Sequence, residues 1–317
     1  MTCERLIGRF GPEFEVPIER GAIRAFAKSI HAPWPAYLED RRATIPPSFL
    51  ATANVAWGYT LERPRGTLLV GLDHDLAVPL HAEESYLFHG EPPRAGDLLI
   101  ARAGLESVVT KQGRRGGDLT FLTLLTEFRE PGGRLAAEAR SVTVTTTASK
   151  EDGEPAAEAP AYRPCYTTLE APDTFSGLTR QPFAELTLGM GPGIVDGGML
   201  TLHDMVRYQA AGGEDNPLHY DLAHAQAFGF PGFFGVGMHQ AGMLGAYAAR
   251  WLGPRSVRSF RARFRAVYFV GDELTYEGRV AGLRKIEGGQ LADLSLVCRR
   301  KSDGADIVTV EMSMAEG

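Results

Sequence analysis

The chain carries one pattern twice. Residues 21–40, GAIRAFAKSIHAPWPAYLED, lie on residues 203–222, HDMVRYQAAGGEDNPLHYDL, at a constant offset of 182 without a gap. Ile23 falls on Met205, Phe26 on Tyr208, Pro35 on Pro217 and Glu39 on Asp221. A second pair of segments, 92–108 and 266–282, follows in the same order, with Gly96-Asp97 on Gly271-Asp272 and an alternating apolar and polar run after each. One such match is within reach of chance, but two in the same order point to an internal duplication. The fold must then be built from two like units, and a chain of 317 residues is long enough to give each its own core.

Apolar periodicity stops in ASKEDGEPAAEAPAYRP, where acidic residues, Ala and Pro take over. This predicts a linker at 148–164 between a first domain of residues 1–147 and a second of residues 165–317. Each copy follows one plan: a short amphipathic helix, a loop, a turn marked by Pro and Gly, a second helix, then antiparallel strands. In the second copy the later helix, GVGMHQAGMLGAYAARWL, has small residues on nearly every face, which suits a helix wrapped by a sheet whose backbone comes close. Alternation in SVRSFRARFRAVYFV, DELTYEGRVAGL, QLADLSLVCRRK and DLTFLTLLTEFRE predicts the strands. The expected class is α+β, with a long curved antiparallel sheet around one helix.

No apolar run approaches the roughly 18 residues of a membrane span, and MTCERLIGRF begins with charges instead of an apolar signal core. A soluble, cytoplasmic protein is expected. The net charge of −6 argues against a nucleic-acid surface, and the 28 Arg against five Lys read as coding bias. Cys3, Cys165 and Cys298 have none of the paired spacings that hold zinc or a disulfide framework, so all three are expected to be reduced and uninvolved.

Chemistry concentrates in residues 212–238, GGEDNPLHYDLAHAQAFGFPGFFGVGM, where Glu214 and His219 are five residues apart with Asn216 and Pro217 between them. A loop leaving one helix and leading through Gly and Pro into another can aim an acid and a base into one cleft. The same residues also suit a helix-ending turn in which Asn216 caps and His219 is polar surface. Asp215 is a neighbouring candidate, but the separation of five favours Glu214. Asp221 reads as the cap of the helix that follows, and His203, His224 and His239 fall outside the register of the pair.

In this register Gly213, Glu214, Asp215, Asn216, Pro217, Leu218, His219, Tyr220 and Asp221, followed by Val236, Gly237 and Met238, resemble the MaoC-like, (R)-specific enoyl-CoA hydratases. Their motif reads G-D-x-N-P-x-H-x-D, with a later H-G-M helix start. The first copy, through HAEESYLFHGEPPRAGD and KQGRRGGDLTF, resembles the dehydratase-like domain fused to it in double-hotdog members.

The resemblance implies a tandem hotdog fold and reversible addition of water to a trans-2-enoyl thioester, with no metal or cofactor and with coenzyme A or an acyl carrier bearing the substrate. It places the proton carriers at Glu214 and His219. It leaves Asn216 to orient the loop or the water, and puts the oxyanion donor at Gly237, where a helix N-terminus offers an unpaired N–H. It also implies that the first half makes room for the acyl chain, and it allows a homodimer.

Two positions depart from the family pattern. Glu214 stands where the motif has Asp, one methylene longer, and Val236 stands where it has His. At the offset of 182 Ala32 replaces Glu214 and Tyr37 replaces His219, so the first half lacks both proton carriers. Two other readings stay open: a thioesterase, and an acyl-thioester-binding protein that no longer turns over. The GRRGG stretch at 113–117 is either a hairpin tip or a contact for coenzyme A phosphates.

Overall fold

The computed structural model of the protein describes residues 3–52, 80–113, 117–146 and 170–316. The expected linker at 148–164, Cys165 and the later helix of the first copy lie outside those residues. The first half contains β1 (Phe14–Pro17), α1 (Arg20–Ser29), α2 (Pro35–Leu38), β2 (Leu80–Phe88), β3 (Leu98–Gln112), β4 (Asp118–Arg129) and β5 (Leu135–Thr146). The second contains β6 (Val195–Met199), α3 (Leu202–Gly212), α4 (Leu222–Ala227), α5 (Gly237–Leu252), β7 (Val257–Phe264), β8 (Glu273–Ile286), β9 (Gly289–Arg300) and β10 (Asp306–Ala315).

The strands form one antiparallel sheet of ten in the order β1-β3-β4-β5-β2-β7-β10-β9-β8-β6. The two halves of that order mirror each other, with β1 matching β6, β2 matching β7, and so on outward from the β2–β7 seam. The repeat extends to hydrogen bonds. Asp97 Oδ2 accepts from the Arg94 N–H at 2.7 Å, and Asp272 Oδ2 from the Phe269 N–H at 2.8 Å. Gly96 and Gly271 both take a positive φ, of 88° and 98°, where a side chain would be strained. Each donates its N–H to a residue 182 apart from its twin's acceptor, Ile18 and Leu200.

A local dyad passes through two facing pairs. Phe26 on α1 packs on its twin Tyr208 on α3, with ring centroids 5.8 Å apart, and Ser85 on β2 pairs with its counterpart Arg261 on β7. At the seam Glu83 accepts from Arg261 at 2.7 Å and Arg263 at 3.0 Å. Burial works against its charge, yet the two guanidinium groups hold its carboxyl below the usual range.

α5 buries 14 of its 16 residues, as its small-residue composition predicts, and lies against the strands of its own half. The close approaches differ from expectation. Where a sheet backbone was expected to touch the helix glycines, a Cβ at Gly242 would lie 2.6 Å from Ile30, and one at Gly245 would lie 3.3 Å from Pro47. Those glycines admit the first half. On the sheet side the yielding residue is Gly278, where a Cβ would sit 2.8 Å from the Tyr247 ring.

Trp251, Tyr247 and Phe260 are among the fully enclosed side chains, each stabilising by about 2–3 kcal/mol through burial. Cys298 is a buried free thiol whose pKa burial pushes up, as suits an inert side chain. β3 and β4 pair out to Gln112 and Asp118, and the Gly113 N–H donates to the Gly117 carbonyl, so GRRGG joins two paired strands. Arg114, Arg115 and Gly116 lie outside the described residues. No helix among the described residues is long and apolar enough to cross a membrane.

Candidate active site

The loop after α3 is set by caps at both ends of the helix. Thr201 and Asp204 form a capping box at its start, and at its end Gly213 turns left-handed at φ 68°. The Glu214 N–H then bonds back to the Gln209 carbonyl at 3.0 Å. This closes the helix. Pro217 opens a 3-10 turn, Pro217–His219, whose N-cap is Asn216: its side-chain oxygen accepts from the Leu218 N–H at 3.1 Å. Asp221 caps α4 by accepting from the His224 N–H at 3.0 Å, as its position predicts.

Glu214 is half-buried and its Oε1 accepts from the Asn216 N–H at 3.0 Å, which fixes the carboxylate against its own loop. His219 is buried, 8% exposed, and its Nδ1 lies 2.8 Å from the Phe234 carbonyl. A carbonyl only accepts, so Nδ1 carries the proton and Nε2 is left as a lone-pair acceptor. Burial lowers the imidazole pKa, while the Phe234 bond and the Glu214 carboxylate pull it back toward the usual value. The two side chains therefore share one electrostatic environment. Tyr208 lies close by: burial, aided by the Glu214 and Glu84 carboxylates, pushes its phenol far up and keeps it neutral.

Gly237 begins α5, so its N–H precedes any intrahelical acceptor. The position has to be glycine, because a Cβ there would lie 2.6 Å from the Phe264 ring. Phe264 in turn packs on His81 of β2, centroids 4.6 Å apart, so the first half braces the start of this helix. Val236 is buried and keeps the chain in place through its carbonyl, which accepts from the Tyr268 hydroxyl at 2.8 Å. Asp215 is exposed. Among the described residues no group of three or more His, Cys, Asp or Glu is placed to hold a metal ion.

Three residues at the other end of α3 were not singled out from the sequence. His31 Nε2 lies 3.3 Å from Asp204 Oδ1, and His31 Nδ1 lies 2.8 Å from Thr174 Oγ1. His239, expected to be uninvolved, is enclosed between His31 and Tyr208, at centroid distances of 6.3 and 5.0 Å. Burial lowers its pKa to about 4, and its Nε2 has no hydrogen-bond partner among the described residues. The offset of 182 held one clue, since it sets His31 opposite Gly213.

Residues 5–139 match a family described as the FAS1-like dehydratase domain region, and residues 184–295 match the MaoC-like domain. Comparison with curated proteins by sequence finds no match. Among solved structures, a MaoC-like dehydratase is 19% identical with a TM-score of 0.73, each chain covered in full. A MaoC-like dehydratase from Phytophthora capsici is 17% identical with a TM-score of 0.65, again with full coverage of both. A conserved hypothetical protein of Mycobacterium tuberculosis, described as having a double hotdog fold, is 15% identical with a TM-score of 0.61 and 96% of each chain covered.

Two like units joined along the β2–β7 seam thus make a double hotdog fold. The first half carries a FAS1-like dehydratase domain region and the second half a MaoC-like domain.

Proposed function

We propose that the protein catalyses reversible hydration of trans-2-enoyl-CoA to (R)-3-hydroxyacyl-CoA, at a site formed by Glu214, Asn216, His219 and Gly237. The observation that carries this reading is the Nδ1–H of His219 donating to Phe234. It leaves the unprotonated Nε2 as an acceptor on a loop that also bears a carboxylate. A water between the two has its second hydrogen oriented by Glu214. As its oxygen bonds to the β-carbon, Nε2 takes the first proton and returns it to the α-carbon on the same face, which gives syn addition. Glu214 stabilises the transient imidazolium, and Asn216 holds the turn that sets both groups. The Gly237 N–H, at the positive end of α5, donates to the thioester oxygen as negative charge gathers there.

Glu214 reaches one methylene further than the family's Asp, and its bond to the Asn216 N–H offsets that reach by folding the carboxylate back. The net charge of −6 favours coenzyme A over an acidic carrier protein as the substrate's bearer. The first half, with Ala32 and Tyr37 at the matching positions, shapes the acyl end of the pocket.

The test is hydration of crotonyl-CoA followed by loss of enoyl absorbance. Glu214→Gln and His219→Ala are each expected to abolish it while leaving the melting temperature near that of the parent. Full activity in either variant overturns the assignment, and release of free thiol in place of hydration assigns hydrolysis instead.

A further inference from the structure

His31 is the only non-glycine residue with a positive φ among the described residues, at 54°. Its twin at the offset of 182 is Gly213, the residue suited to that conformation. Holding a side chain there costs about 1 kcal/mol, and strain of this kind collects where a side chain has work to do. The imidazole is 7% exposed and stands between two partners. Asp204 accepts from Nε2–H at 3.3 Å, and the Thr174 hydroxyl donates to Nδ1 at 2.8 Å.

Asp204 is itself fixed. Its Oδ2 accepts from the Thr201 hydroxyl at 2.6 Å and the Thr201 N–H at 3.1 Å. Although burial opposes its charge, the His31 and Thr201 bonds hold its carboxyl well below the usual range. The result is a hydroxyl, a base and an orienting carboxylate in sequence, the arrangement that activates a nucleophile. All three line a cavity of about 270 Å³, together with Arg207, Thr201 and the bulged Gly197. None of Glu214, Asn216, His219 or Gly237 borders it.

We propose that this cavity is a second active site, in which Thr174, His31 and Asp204 hydrolyse esters or thioesters of small acyl groups through an acyl-threonine. Thr174 Oγ attacks the carbonyl carbon while its proton passes to His31 Nδ1, and Asp204 stabilises the imidazolium. The positive charge of Arg207 offsets the oxyanion. Collapse breaks the bond to the leaving alcohol or thiol, which takes the proton from His31. Water then repeats the sequence on the acyl-threonine, releasing the acid and restoring the hydroxyl. The cavity lies at the small end of ligand pockets, which limits the acyl group to a few carbons.

The test uses p-nitrophenyl acetate and acetyl-CoA with the full chain. The parent is expected to hydrolyse both and to carry one acetyl group on Thr174 in quenched peptide mass spectra. Thr174→Val replaces the hydroxyl with a methyl group, and His31→Gly gives the backbone the residue its twin uses. Each is expected to lower hydrolysis by roughly 100-fold while hydration of crotonyl-CoA persists. A parent rate no greater than that of Thr174→Val overturns the proposal. So does acetyl on another residue, or hydrolysis lost in Glu214→Gln and kept in His31→Gly.

Discussion

The loops at 30–40 and 212–222 begin alike and end as different instruments. Both follow a helix of the same length class, both turn through a left-handed residue, and both restart on a proline, Pro35 or Pro217. In the second loop the left-handed residue is Gly213, and beyond it Glu214 and Asn216 are half-buried while His219 is buried against the Phe234 carbonyl. In the first, the left-handed residue is His31, and the positions that follow are filled for packing. Ala32 and Tyr37 are completely buried, and Trp34 stacks on Tyr37 with centroids 5.7 Å apart. One backbone therefore serves either a loop of polar side chains, the proposed site of proton transfer, or a packed corner. The choice rests on whether the fifth residue after the carboxylate position is an imidazole held by a carbonyl or a phenol sunk in the core.

The comparison breaks most sharply by matched substitution. His219→Ala is expected to lower kcat for crotonyl-CoA by roughly 1,000-fold, the scale of a lost acid–base group. Tyr37→Phe at the equivalent position should leave kcat unchanged, because the Tyr37 hydroxyl has no hydrogen-bond partner among the described residues. Steady-state rates on the two variants measure the asymmetry directly.

The next largest effect is expected at Gly237. A methyl there meets the Phe264 ring at 2.6 Å, so Gly237→Ala must shift the start of α5 and with it the N–H. A fall in kcat on the order of 100-fold with a smaller change in KM is expected. An unaltered kcat would remove the oxyanion role from this helix.

Acid should unfold the dyad region before it harms the outer strands. The pKa of His239 is lowered from 6.5 to about 4, so the folded state holds it neutral while the unfolded chain protonates it. Its contribution is full above pH 6.5 and is lost as the pH falls toward 4, about 3 kcal/mol in all. Denaturant titrations at pH 7 and pH 4.5, compared with those of His239→Gln, check the sign and the size. His219 is shifted in the same direction, so the acid limb of kcat/KM should fall below pH 6.5.

The smallest expected effect is at Asp221. Its cap on α4 has no counterpart hydrogen bond in the first loop, and Asp221→Ala should cost about 1 kcal/mol in unfolding free energy with activity nearly intact.

Much of this was legible in the residues. The duplication fixed two like units because the offset is exact over twenty positions, and turn chemistry at Gly213, Asn216, Pro217 and Asp221 specified the loop locally. The Phe234 carbonyl that selects the His219 tautomer was not legible, since it lies fifteen residues away and is a backbone group that any side chain would supply. Nor was the Thr174–His31–Asp204 sequence, whose members are 143 and 173 positions apart. The β2–β7 seam escaped for a similar reason: alternation shows which face of a strand is apolar, not which strand of the other copy lies beside it. Gly242 and Gly245 were read as admitting a sheet, and they admit Ile30 and Pro47 instead, because small residues reveal a close approach without naming what approaches.

The seam carries a consequence for how such a chain changes over time. In a symmetric dimer of single units, any residue on the two-fold axis must face its own copy, and each mutation appears twice at once. Here one covalent chain crosses that axis, so Phe26 faces Tyr208 and Ser85 faces Arg261, unlike partners that a true dimer could not have. Each side of the axis is free to drift alone, and a single nucleotide change can refit one wall of the molecule without disturbing the wall it was copied from.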